Sequence, residues 1–565
     1  MIPPLTDNKM TLPKRGNLMA NVTYRQSPDH NLSGWPSGIK YIVGNEGCER
    51  FSYYGMNAIL YIYCVSLYAS SAINQDAAAN MATSTVHLFK TGVYALPMIG
   101  AIIADRFLSK YTTIIWLSFV YCLGHLVLSL TEGSMVGLTC GLTLIAIGSG
   151  GIKPCVSAHV GDQFGRANWS YLERVYQIFY FMINFGSFFA VWFIPLLQVW
   201  FGWSVAFAVP GILMFIATIV FYMGRKEYVH VPAKPGGKLG MLDSMSSIML
   251  FLTFGSLFFT ASQPMWLVLS VSVLCLISGL LIFSYRQRLE KDDGFLAVSF
   301  YMAREWLLDL TSRKPVLVTI SGSNSSGMKE LGKITKQASR EFGEEAVEGF
   351  KAMLRIMSVF IMVSIFWALF DQHASSWIRQ AEMMNRVVSF PFFGQVELLP
   401  SQIPSLNPVM VMMLIPFWAY VVVPALNKFG ITMTPLKKMS LGMALAATSF
   451  VAVALIQAKI DAAGNGQVDI LWQLIPYFLI TLSEVLVSIT GLEFAYSQAP
   501  KRMKSTVMGF WLLTVALGNA LVAFLAHFSH LSLENFFWVF ALLMAIAAVI
   551  FAIRASFYQV RDYTQ

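Results

Sequence analysis

Apolar runs of about twenty residues, each long enough to cross a bilayer as a helix, alternate with short polar breaks along almost the whole chain. They predict helices near 38–67, 82–105, 111–131, 135–160, 174–199 and 203–223. A second set follows near 243–261, 265–285, 352–379, 400–426, 436–457, 469–497, 505–529 and 534–556, about fourteen in all. Helices satisfy every backbone polar group internally, which lipid demands, so the pattern predicts an all-α polytopic membrane protein. Residues 1–36 are polar and lack the charged, apolar and small-residue regions of a cleavable signal. Residues 286–350 form the one long stretch outside the membrane pattern, with Ser321 to Gly327 as a flexible break between two charged helical patterns. That stretch reads as a solvated connector on the cytoplasmic face.

Composition supports the same class. Hydrophobic residues make up 56% and charged residues 12% of the chain, against about 25% charged in soluble domains, and the mean hydropathy is +0.61. The formal net charge of +9 does not point to nucleic acid, because the basic residues fall in short loops. Loops assigned to the inside carry Arg106 and Lys110; Arg166 and Arg174; Arg225, Lys226, Lys234 and Lys238; Arg286 and Arg288; Lys428, Lys437 and Lys438; Lys501, Arg502 and Lys504; and Arg554. Loops assigned to the outside hold only Arg386 and Lys459. This asymmetry places both termini in the cytoplasm and requires an even number of crossings. The six cysteines lie in apolar segments without a Cys-x-x-Cys spacing, so neither a disulfide framework nor a metal site is indicated.

Against this apolar background a few polar residues stand out. Glu46, Glu49 and Arg50 lie inside the first apolar run. On a helix Glu46 neighbours Glu49 at i,i+3 and Arg50 at i,i+4, and Tyr53 and Tyr54 continue that face. Each charge costs about 2.5–3.5 kcal/mol at mid-membrane, so the three must pair and face a bundle interior or an aqueous cavity. Two carboxylates sharing one arginine leave one without a full partner and able to take up a proton. A structural ion-pair staple is the alternative. In Gly148-Ser-Gly-Gly-Ile-Lys153-Pro154 the phosphate-loop spacing is absent. Small residues for close helix packing and one buried cation, or a snorkelling lysine, remain. Asn184 near mid-membrane needs a hydrogen-bond partner, either a neighbouring helix or a ligand.

Glu46-x-x-Glu49-Arg50-Phe51-x-Tyr53-Tyr54-Gly55 resembles the first-helix signature of the proton-dependent oligopeptide transporters, a branch of the major facilitator superfamily. Further similarities follow in order: Gly100 to Lys110, the Gly-Gly-Ile-Lys-Pro element at Lys153, Phe179 to Ser187, Phe366 to Gln372, and Leu482 to Pro500. The resemblance implies the major facilitator fold, with two six-helix bundles and the inserted two-helix hairpin found in bacterial members. The expected layout is a cytoplasmic segment at 1–36, a first bundle at 37–224, linker and hairpin at 225–285, the connector at 286–350, and a second bundle with its tail at 351–565.

It also implies roles for particular residues. Lys153 would face the peptide and exchange between it and Glu484, and Asn184 with Asn407 and Glu484 would receive the peptide ammonium. Glu484 and Glu493 are nine residues apart, about 900° of helix, so they point to opposite faces and only one of them can line the cavity; Glu484, near mid-membrane where Glu493 is nearer the cytoplasm, is the candidate. Tyr53, Tyr54 and Tyr94 would assist with the carboxylate, and Trp367 and Trp511 offer aromatic surface for side-chain pockets or simply pack the core. Glu46, Glu49, Arg50, His87 and Asp371 would couple transport to protons, with a direct His87–Asp371 contact expected at the outer gate because His87 is the titratable cation read at that depth. Two positions depart from the family. Asn57 stands where a basic residue is usual, and Ala419 where Arg355 would find an acid on the next helix.

The implied function is proton-coupled import of di- and tripeptides by alternating access, with the proton as coupling ion and no cofactor. The partners expected are short peptides, protons and the lipid of a bacterial plasma membrane, with no nucleic acid, and the protein is expected to act as a monomer. Asn57 leaves a non-peptide substrate, such as nitrate, a hormone or a glycoside, as the alternative. A membrane-embedded enzyme would need surface carboxylates at metal-ligand spacing, which the sequence does not show.

Overall fold

The computed structural model describes residues 24–29, 31–69, 74–168, 171–256, 264–291, 295–312, 325–390, 394–498, 504–528 and 531–558. The segment 1–23, the first part of the Ser321 to Gly327 break, and Lys501 and Arg502 lie outside them. The first six helices are α1 (Ile39–Tyr68), α2 (Gln75–Ile103), α3 (Lys110–Leu130), α4 (Met135–Asp162), α5 (Leu172–Phe201) and α6 (Trp203–Met223). Two more, α7 (Gly237–Gly255) and α8 (Met265–Leu289), pair as a hairpin, and α9 (Phe295–Ser312) and α10 (Ser325–Phe342) form the connector.

The remaining chain begins with α11 (Glu344–Phe370) and a 3-10 turn into the short α12 (Ser376–Glu382). A two-stranded hairpin follows, β1 (Val387–Phe390) antiparallel to β2 (Gly394–Glu397). The next crossing is broken into a 3-10 start at Pro400–Ser405, α13 (Leu406–Phe417), a π-turn at Trp418–Val422 and α14 (Val423–Lys428). α15 (Pro435–Ala463) returns, and the following crossing is again split by a π-turn, Val485–Ile489, into α16 (Leu474–Glu484) and α17 (Thr490–Gln498). α18 (Lys504–Phe528) and α19 (Leu533–Ser556) complete the fold.

Among the described residues twelve helical stretches are long and apolar enough to cross a membrane. α1 carries four charges in its first half and several tyrosines with Asn57 in its second, and so is less apolar, while α7 pairs closely with α8; these two bring the arrangement to about fourteen. Helix starts follow ordinary capping chemistry. Asn74 Oδ1 accepts from the Ala77 amide at 2.8 Å, Ser134 Oγ from Gly137 at 3.1 Å, and Thr434 precedes Pro435 at the first position of α15.

Two large hydrophobic cores divide the molecule, one built on α1–α6 and one on α11 and its successors. A third small core of Val298, Met302, Ile334, Ala338, Ala346 and Val347 ties the connector helices to the start of α11. That end is called the connector end, and the opposite end, bearing β1 and β2, the strand end. Small residues set two close approaches within the first half. A Cβ on Gly100 would stand 2.4 Å from the Gly151 Cα, and one on Gly186 2.7 Å from the Gly47 carbonyl oxygen. The two halves meet mainly where α2 runs antiparallel to α18, and at the strand end where α1 and α5 touch the 3-10 start at Pro400–Ser405. α4 makes no extensive contact with α16 or α17 among the described residues.

Candidate functional site

The α1 cluster forms as helix geometry requires. Arg50 Nε donates to Glu46 Oε1 at 2.7 Å and lies 3.4 Å from Glu49 Oε2. Both carboxylates are buried, and Ser149 of α4 donates to Glu49 Oε1 at 3.2 Å. Glu46 Oε2 has no hydrogen-bond partner among the described residues. One guanidinium therefore serves two buried acids, which leaves the cluster with one negative charge that a single proton would neutralise.

Lys153 extends from α4 toward this cluster. Its Nζ sits 3.8 Å from the Tyr53 ring centroid and 4.7 Å from that of Tyr94, a cation–π sandwich. The ammonium is buried with no hydrogen-bond partner among the described residues. Tyr53 is itself packed edge-on against Tyr54, with centroids 5.2 Å apart. The expected Lys153–Glu484 pair is not formed. Lys153 lies on the tyrosine faces of the first half, whereas Glu484 Oε2 accepts from Asn407 Nδ2 at 2.7 Å within the second half. Asn407 also reaches Thr481 Oγ1 at 3.2 Å. The two charges thus stand on different halves, each with its own partners.

Asn184 is likewise not joined to Asn407 and Glu484. Its Nδ2 donates to the Tyr180 carbonyl one turn back at 3.0 Å, which satisfies the amide within α5. Trp367 and Trp511 meet edge to face with centroids 6.3 Å apart. The Trp367 indole nitrogen has no hydrogen-bond partner among the described residues, and Trp511 packs against Phe360 and Gly491. Glu493 is exposed on α17, away from Glu484. Arg355 lies 3.9 Å from Glu348 of its own helix, and Ala419 falls in the π-turn after α13.

At the strand end the expected direct His87–Asp371 contact is absent, and His87 is not the only cation at that depth. Lys90 Nζ donates to Asp371 Oδ1 at 2.9 Å and to the Asp371 carbonyl at 3.1 Å. Asn519 of α18 stands between histidine and acid: its Nδ2 donates to Asp371 Oδ2 at 2.6 Å, and its Oδ1 lies 2.7 Å from His87 Nδ1. His87 Nε2 is 2.7 Å from Ser375 Oγ. With Nδ1 donating to the amide oxygen, Nε2 accepts from the serine in the neutral ring and would donate to it when charged. Asn57, where the basic residue is missing, is buried with its Oδ1 unpartnered.

Sequence reasoning missed Lys90, Asn519 and Ser375. Lys90 had left a signal, a cation three residues after His87 within an apolar run, which lipid tolerates only opposite an acid. A second bridge between halves was also missed: Arg379 of α12 reaches Asp76 of α2 at 2.5 Å and Asn80 at 3.2 Å. No group of three or more His, Cys, Asp or Glu placed to hold a metal occurs among the described residues.

Two helical halves with buried charges facing each other across their interface define a polytopic membrane transporter. The chain belongs to the POT family, whose PTR2 profile matches residues 111–539. It is 31% identical over 483 residues to human solute carrier family 15 member 2, covering 83% of this chain and 55% of that protein, so that alignment spans about half the relative's length. Rabbit solute carrier family 15 member 1 is 26% identical over 739 residues, covering 93% of each. Among solved structures, the in meso crystal structure of the POT family transporter PepTSo matches with a TM-score of 0.74 and 36% identity, over 94% of this chain and 99% of that one. These matches to transporters agree with the major facilitator fold and with a protein that moves a solute rather than transforming it.

Proposed function

We propose that the protein imports di- and tripeptides together with protons by alternating access, and acts as a monomer in a plasma membrane with both termini in the cytoplasm. The observation that carries this reading is the separation of charge across the interface. An ammonium without a carboxylate partner, Lys153, lies on one half, and the Asn407–Glu484 pair lies on the other. A zwitterionic peptide matches both: its carboxylate goes to Lys153 with Tyr53 and Tyr94, its ammonium to Glu484 with Asn407, and Trp367 and Trp511 offer surface to its side chains.

The acid cluster of Glu46, Glu49 and Arg50 supplies the coupling. Taking up one proton neutralises it and changes the relative stability of the states facing each side. The driving force is about 1.4 kcal/mol per pH unit plus about 2.3 kcal/mol per 100 mV for each charge moved. In this reading the strand end faces outward and is closed by the Lys90–Asp371 and Arg379–Asp76 bridges. Lys90 supplies Asp371 with a cation, and the likeness to POT family peptide transporters favours a peptide over the non-peptide alternative that Asn57 left open.

Counterflow in proteoliposomes tests the substrate. Vesicles loaded with dialanine should take up labelled dialanine, and unlabelled dipeptides should compete while carboxy-amidated ones compete poorly. Equal competition by amidated and free peptides would contradict the role given to Lys153, and no counterflow would contradict peptide transport.

A further inference from the structure

A second polar system lies inside the first bundle. α1 and α3 run in the same direction, from the connector end toward the strand end, and Ser52 Oγ lies 3.2 Å from His125 Nε2 between them. Ser52 also donates to the Pro210 carbonyl of α6 at 2.9 Å, and His125 Nδ1 is 3.2 Å from the Phe207 carbonyl. Seven residues back on each helix, about 10 Å nearer the connector end and on the same faces, stand Asn45 and Ser118. Glu49 and Tyr121 lie between the two levels, and Tyr121 is within electrostatic reach of Glu49.

The upper pair of this column is satisfied by protein and the lower pair is not. Both atoms of the Asn45 amide and Ser118 Oγ are buried without a hydrogen-bond partner among the described residues, while between the levels Glu49 Oε2 faces the Arg50 guanidinium at 3.4 Å and the Tyr121 hydroxyl faces Ser52. Asn45 and Ser118 are 1% exposed, and Tyr121 and Glu49 0%. Buried polar groups are almost always hydrogen-bonded, and a polar interior site offering two to four partners is where ordered water resides. Nearer the connector end the half-buried Tyr41 and Tyr111 begin the same two helices and pack against the buried Tyr228, whose hydroxyl donates to the Phe221 carbonyl at 2.9 Å.

We propose that Asn45, Ser118 and Tyr121 hold a short chain of ordered water inside the first bundle, and that this chain carries the Glu49 proton to the connector-side solvent by a route separate from the peptide cavity. The proposal rests on the proton-coupled reading above. In the step, the Glu49 O–H bond breaks and its proton passes to the nearest water. Each water accepts one proton and gives one, and hydronium leaves at the connector end. Glu49 remains as a carboxylate facing Arg50 and Glu46 of its own helix, Ser149 and Lys153 of α4, and Tyr121 of α3. A separate route lets the proton leave without waiting for the peptide.

The test uses the full chain in proteoliposomes, with Tyr121→Phe, which removes only the hydroxyl, and Asn45→Leu. Proton-gradient-driven uptake of dialanine should fall about tenfold or more in each variant, a modest part of what positioned proton relays contribute. Dialanine counterflow, which needs no net proton release, should stay within about twofold of wild type, because none of these residues touches the peptide site. Loss of both activities together would overturn the proposal in favour of a packing role, as would unchanged uptake in Tyr121→Phe. A wild-type protein showing counterflow without gradient-driven uptake would overturn the coupling reading itself, and the water route with it.

Discussion

Asp371 finds its cation in Lys90 of α2, at 2.9 Å, and this buried pair crosses between the halves at the strand end. Breaking a buried pair by removing one partner costs about 3–5 kcal/mol, because the other charge stays buried and alone. Lys90→Gln should therefore destabilise the strand-closed state. In a background lacking the six native cysteines, Ser84→Cys reports on closure, since Ser84 Oγ donates to the Ala523 carbonyl across the interface at 3.0 Å. An impermeant thiol reagent should label it faster in Lys90→Gln, and adding Asp371→Asn should restore slow labelling. Equal rates in all three backgrounds would contradict the bridge's role in closure. For the α1 cluster, Glu46→Gln or Glu49→Gln should abolish gradient-driven accumulation of dialanine while counterflow stays measurable; loss of both from folded protein would return the cluster to a structural staple. The residues themselves were legible in the sequence, because a charge inside an apolar run is conspicuous. Their partners were not. Depth along a helix can be counted from sequence, but the orientation of one helix against another cannot, so Asn519 between His87 and Asp371 was invisible, and Lys153 turned to Tyr53 and Tyr94 rather than to Glu484.

At the scale of elements, the crossings were the most readable feature, because twenty apolar residues leave lipid no alternative to a helix. What the pattern could not show were the breaks within them. The π-turns at Trp418–Val422 and Val485–Ile489 interrupt apolar stretches that read as continuous, and the second follows Glu484 directly, at the point where a functional helix must aim one acid. The strands β1 and β2 are four residues each, too short to show a period. Close helix approach is testable at Gly186. Because a Cβ there would meet the backbone oxygen of Gly47 rather than a flexible side chain, Gly186→Ala should force α1 and α5 apart at a cost of about 1–3 kcal/mol. Thermal unfolding in detergent should show a lower midpoint, with Gly34→Ala, where a Cβ meets nothing within 4 Å, as the unchanged control; equal midpoints would contradict this packing.

For the whole molecule, the arrangement of contacts describes a transporter shut at the strand end. Lys90–Asp371, Arg379–Asp76 and the His87–Asn519 hydrogen bond all cross between halves there, while among the described residues α4 makes no extensive contact with α17 toward the connector end. Alternating access then requires the buried strand-end bridges to break when the opposite end closes, and the proton on the α1 cluster to make that exchange favourable in one direction. The most direct measurement is uptake of labelled dialanine into proteoliposomes with an imposed proton gradient, acid outside, compared with no gradient. The account predicts accumulation above the external concentration that collapses when the gradient is dissipated and that Glu49→Gln cannot produce. Uptake that stops at equal concentrations whatever the gradient would contradict it.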